Sequence, residues 1–212
     1  MNEVNWKSRL INNLPLIFGL LAIAFAWITI FLAISLNPWF RVNSNALSDL
    51  GGGNFQNNGH PSPSYPFVYN YGLIITGILI GLFSISMLHK IENKIEIVGF
   101  SFFIIGGLFL SLIGIYHEGT YPHDFVSIWF FIISSISFFV IGIGYLSQKY
   151  YKFGALLTGI NLLSWIAYVV IPWQSVAEDE IFGVLVIDIL VLLSLYNFLN
   201  RTRSVFSGPS SS

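Results

Sequence analysis

The chain has 212 residues, of which 55% are hydrophobic and only 9% charged, against roughly 25% charged in soluble domains. Its net charge is −1 and its Lys and Arg form no long run, which excludes nucleic acid as a partner because phosphate binding needs clustered positive charge. Cysteine is absent, which excludes disulfides, thiolate chemistry and Cys-ligated metal sites.

Apolar runs separated by mostly short loops recur along the whole chain, each long enough to cross or nearly cross a hydrocarbon core of about 30 Å. Backbone polar groups find no water there, so helices are expected. The predicted fold is all-α: a single domain over residues 1–206 with six spans at about 14–36, 67–88, 95–116, 125–146, 155–171 and 181–199, the fifth marginal in length.

Orientation follows from the basic residues. Lys7 and Arg9 precede the first span, Lys90 and Lys94 fill the second loop, Lys149 and Lys152 the fourth, and Arg201 and Arg203 follow the last. Only Arg41 falls on the other side, so both termini are expected in the cytoplasm of a multi-pass cell-membrane protein. Trp39 and Trp173 at outer span ends and Trp6 at an inner one fit interfacial aromatic belts.

Taken in chain order, the first span follows basic residues as a signal peptide would, but its apolar run is too long and no small-residue cleavage site follows. It reads as a retained anchor. The loop from Asn37 to Pro66 then exceeds the roughly 12–15 residues beyond which loops are usually functional or disordered. Within it, Ser44 is expected to cap a short helical turn ended by Gly51, Gly52 and Gly53, and the stretch from Asn54 to Pro66 reads as irregular. Three glycines without a neighbouring Lys favour a plain turn over a phosphate cradle.

The second and third spans carry Gly77-x-x-x-Gly81 and Gly99, Gly106, Gly107 and Gly114, which permit close helix packing. Between the third and fourth lies the tight loop Tyr116-His117-Glu118-Gly119-Thr120-Tyr121-Pro122-His123-Asp124. Two imidazoles and two carboxylates so close together suit a metal site or acid–base work, although the spacing matches no established metal motif. The competing reading is plain: interfacial polar side chains facing water, with Asp124 capping the fourth helix. Ser127, Ser134 and Ser137 form a fourth-span stripe read mainly as close packing.

After Glu178, Asp179 and Glu180, the last span holds Asp188, about 12 Å below its outer end. A carboxylate near mid-membrane costs at least about 2.5 kcal/mol and calls for an interior partner, for which Asn70 and the serine stripe are candidates. The sequon Asn200-Arg201-Thr202 is expected to be cytoplasmic and unmodified, and residues 207–212 read as an appended linker. Acidic residues and His60, His117 and His123 concentrate on the outer side, making it the chemically richer face.

Three stretches carry a resemblance over nearly the whole chain: Asn45-Ala46-Leu47-Ser48-Asp49-Leu50-Gly51, then Phe67-Val68-Tyr69-Asn70-Tyr71-Gly72-Leu73-Ile74, then Ile113-Gly114-Ile115-Tyr116-His117-Glu118 with His123. They resemble the prokaryotic membrane family called domain of unknown function 998, and more distantly the six-span Frag1/DRAM/Sfk1 proteins, some linked to lipid remodelling. Members often have Phe-Pro-Glu where this chain has Tyr116-His117-Glu118, so Glu118 carries over and His117 departs. The resemblance supplies no reaction, but it favours Asn45, Ser48, Asp49, Asn70, Glu118 and His123 as the site over His60 or the triplet from Glu178 to Glu180.

Three functions fit. The first is an outward-facing site for a lipid headgroup or small amphiphile, formed by Asn45, Ser48, Asp49, Asn70, His117, Glu118, Asp124 and Asp188 where the long loop folds over the bundle mouth. The second is a membrane hydrolase or transferase, with or without a metal, using His123 as base and Asp49 or Glu118 as orienter or ligand. The third is a small transporter or an assembly partner of other membrane subunits, in which Asp188 would titrate.

Overall fold

The computed structural model describes residues 3–206 of the backbone and the side chains of residues 11–202; the expected linker at 207–212 lies outside the described residues. The described residues form six helices: α1 (Glu3–Leu36), α2 (Pro66–Leu88), α3 (Lys94–Ile115), α4 (His123–Ser147), α5 (Tyr151–Val170) and α6 (Val176–Phe206), with a short 3-10 turn at Leu47–Leu50. All six are long and apolar enough to cross a membrane. Large apolar side chains such as Phe31, Leu108 and Val169 remain exposed on the outside of the bundle, as lipid rather than water requires.

Sequential helices pack against one another, and α6 returns to touch α1 and α4, so the spans enclose an interior. One end carries the long first loop and is here called the lid end; the other carries Lys90, Lys94 and Lys149 and is the basic end. The backbones of α2 and α3 approach closely. A β-carbon on Gly77 would lie 2.3 Å from the Gly107 carbonyl oxygen, and one on Gly107 would lie 2.6 Å from that of Gly77. The absence of side chains there lets the two backbones touch, as the small-residue pattern led one to expect. Gly81 is different, because a β-carbon there meets nothing within 4 Å.

Phe83, Phe100, Phe103, Phe138 and Tyr145 fill the core toward the basic end, with rings meeting edge to face. Beside them a buried ion pair ties three helices together. Arg201 on α6 donates from Nη1 and Nη2 to Glu96 Oε1 at 3.0 Å each, and its guanidinium lies 4.7 Å from the Tyr145 ring centroid and 4.1 Å from that of Tyr150. Gln148, capping the end of α4, donates to the same carboxylate. Arg201 therefore does more than mark the basic side: its fork neutralises a Glu96 that is fully buried.

Candidate functional site

The long loop is held down over the lid end of the bundle. Its anchor is the 3-10 turn, whose Leu47 and Leu50 are 2% and 0% exposed and pack with Ile30, Ala33, Phe40, Tyr69 and Ala177. Withdrawing each leucine from water is worth about 1.5–3 kcal/mol. Ser44 does not cap this turn; its hydroxyl donates to Asn43, and Ala46 occupies the capping position. Asp49 reaches back instead, Oδ2 accepting from the Ala46 N–H at 2.9 Å and from Asn45 Nδ2 at 3.3 Å. Ala lacks a side-chain acceptor, so the carboxylate three residues on takes over the work. The glycines follow as expected, and Gly51 and Gly52 are required by space: β-carbons there would lie 2.3 Å from Asn70 Oδ1 and 2.2 Å from the Glu118 carbonyl oxygen.

Two carboxylate–imidazole pairs then lock the loop. Asp49 Oδ1 lies 3.0 Å from His60 Nε2, and His60 is stacked on Trp39 with centroids 4.9 Å apart and planes 8° from parallel. Glu118 Oε2 lies 3.0 Å from His123 Nε2 and accepts from Ser48 Oγ at 3.1 Å, while its Oε1 accepts from Asn58 Nδ2 at 2.8 Å. In both histidines the other ring nitrogen, Nδ1, sits 2.8 Å from a backbone carbonyl, of Pro61 and of Tyr116. A carbonyl can only accept, so each Nδ1 carries a proton, and His123 donates to Glu118 through Nε2 as the imidazolium that this carboxylate favours. The His123 hydrogen bond, opposed by partial burial, holds the Glu118 carboxyl down at about 2.

Further ties reach α2 and α6. Asn70 Nδ2 donates to the Gly51 carbonyl at 2.9 Å, the Ala177 N–H donates to the Asn45 carbonyl at 2.8 Å, and the Leu47 N–H donates to Glu180 Oε2 at 2.6 Å. Asn45, Ser48, Asp49, Asn70, Glu118 and His123 thus lie in one network, to which His60 and Glu180 also belong although the family resemblance had set both aside. His117 is peripheral and exposed, with Nδ1 against the Glu118 carbonyl at 2.9 Å. Asp124 is exposed in the first turn of α4 and makes no capping hydrogen bond, because that helix starts two residues earlier than such a cap needs. It does approach the Glu118–His123 pair, the three offering ligand atoms within 4.8 Å of one another.

Asp188 stands apart from this network. Its partner is Trp27 on α1, whose Nε1 donates to Oδ2 at 2.8 Å, and not Asn70 or the serine stripe. Ser137 donates across to the Gly99 carbonyl at 2.8 Å, so that part of the stripe serves packing, whereas Ser127 shares with Asp188 the lining of a cavity of about 80 Å³. The cavity lies directly beneath the 3-10 turn, whose Leu47 and Ser48 form part of its roof. Residues 180, 184, 187, 188 and 191 of α6 all line it. That is a helical stripe at spacings of four, seven, eight and eleven, and it was the available signal for grouping Glu180 with Asp188.

Fold and site together define an integral membrane protein of six spans whose interior cavity is roofed by an ordered polar loop. Residues 20–196 match the family described as protein of unknown function (DUF998), and the chain belongs to that family. Neither a curated protein nor a solved structure matches it.

Proposed function

We propose that this protein, oriented in the cell membrane with both termini in the cytoplasm, binds a lipid or small amphiphile, its apolar part in the interior cavity and its polar end toward the lid network. The observation that carries the reading is the continuity of the two. Ser48 and Glu180 belong both to the lid network and to the lining of an otherwise apolar cavity. Polar groups gathered at one end of an apolar cavity are what an amphiphile needs. In this reading Ser48, in the roof of the cavity, exchanges its hydrogen bond to Glu118 for one to the headgroup.

The test is native mass spectrometry with elemental analysis on protein purified in mild detergent. Retained lipid in the wild type, lost in Asp49→Asn and Glu118→Gln, is the expected result; equal lipid content in all three would overturn it. A second reading, a metal-assisted hydrolase or transferase, is favoured by the convergence of Glu118, His123 and Asp124. It requires stoichiometric metal in the same preparation and lipid turnover abolished by His123→Ala. A serine nucleophile is not favoured, since the Ser48 hydroxyl is directed at the Glu118 carboxylate, which stands between it and His123.

A further inference from the structure

The acidic and basic side chains that line the two interior cavities are all acids. The cavity beneath the lid is lined by two carboxylates, Glu180 and Asp188, and by no Lys, Arg or His. Glu180 is engaged by the Leu47 N–H. Asp188, two helical turns deeper, receives only the Trp27 indole, on Oδ2; among the described residues its Oδ1 has no hydrogen-bond partner. Of the hydroxyls in the lining, that of Thr76 is already spent on the Gly72 carbonyl. A second cavity of about 270 Å³, between α4, α5 and α6, adjoins the first across Phe131 and Ile187, and it adds Asp179 and again no basic side chain.

An ionised Asp188 at this depth calls for a counter-charge, and none of the cavity's own side chains supplies one. A phosphate or carboxylate headgroup entering here would meet like charge, whereas an ammonium group on an alkyl stem would find both a counter-ion and apolar walls. We propose that the interior cavity selects amphiphiles bearing a protonated amine, with Asp188 as the counter-ion. This rests on the amphiphile reading above, adds the class of headgroup and moves its seat from the lid network to the cavity wall at Asp188. The shared chemistry is an alkylammonium, whether it comes from a membrane lipid or from a free alkylamine. The adjoining cavity between α4, α5 and α6 extends the apolar space available to the stem.

Native mass spectrometry of the full chain in non-ionic detergent, titrated separately with dodecylamine, dodecanol and dodecyl phosphate, tests the assignment. Saturable binding of one dodecylamine, about tenfold or more tighter than dodecanol and with dodecyl phosphate weakest, is expected. Asp188→Asn, which keeps an acceptor for Trp27, should bring the amine down to the alcohol's affinity while leaving the alcohol unchanged, and Asp188→Glu should keep the preference. Equal binding of amine and alcohol by the wild type would overturn the headgroup assignment and leave the amphiphile reading standing. An amine preference that survives Asp188→Asn but is lost in Glu180→Gln would overturn Asp188 as the counter-ion. Failure of all three probes to bind would overturn both readings.

Discussion

At the scale of single residues, the protein uses carboxylates as fasteners. Glu118 receives three donors from three parts of the chain, and its pKa of about 2 against an ordinary 4.5 states the consequence for stability. The folded state holds this group deprotonated more strongly than the unfolded state does. Its contribution is therefore fully present above about pH 4.5 and is lost as the pH falls toward 2. For a partly exposed pair this is worth about 1–3 kcal/mol. The hydrogen-exchange protection of the amides at residues 47–60, taken against the intrinsic rate at each pH, should fall over that pH range in the wild type, and Glu118→Gln should show low protection throughout with a flattened dependence. Sequence pattern pointed to Glu118 and His123 because they crowd a short loop. It passed over His60, whose role depends on a ring stack with Trp39 and on a contact with Asp49 eleven residues away, neither of which has any local periodicity.

At the scale of elements, helix identity was legible because a membrane span is a long apolar run, and the ends were less so. Span α6 continues to Phe206, beyond the expected Leu199, because Arg201 is drawn onto buried Glu96 and keeps the polar tail in register. Span α4 begins at His123, not Phe125, where the Glu118 contact fixes the first turn. The four-residue turn at Leu47–Leu50 is too short for any periodic signal, and its cap comes from Asp49 where Ser44 was expected. Packing inside the elements makes a sharp contrast testable. Gly107→Leu must separate α2 from α3 and should cost more than about 3 kcal/mol, whereas Gly81→Ala points into open space and should change stability by less than about 1 kcal/mol. Thermal unfolding of both variants in one detergent reads the difference.

At the scale of the whole molecule, the positive-inside count predicts which end faces out. The chain's lack of cysteine makes this direct to check. In intact cells, a membrane-impermeant maleimide should label Asn57→Cys in the exposed part of the long loop and spare Glu92→Cys on the basic side until the membrane is opened. The cavity and its charge pattern were beyond the sequence. They depend on which helices become neighbours, and apolar runs of similar composition do not specify their partners: Trp27 and Asp188 meet from opposite ends of the chain.

The long loop is also closed at its neck. Asn37, at the end of α1, accepts from the Ser64 N–H through Oδ1 at 2.7 Å and donates from Nδ2 to the Ser64 carbonyl at 3.3 Å and to the Ala33 carbonyl at 2.9 Å. A single side chain thereby joins the two ends of the loop and helps to offset the entropy of closing the ring. Since that entropy grows only with the logarithm of length, by about 0.6 kcal/mol per doubling, the exposed crest around residues 55–57 can be lengthened at little thermodynamic expense. The crest is thus a natural place to splice an epitope or a fluorescent reporter without unseating the lid.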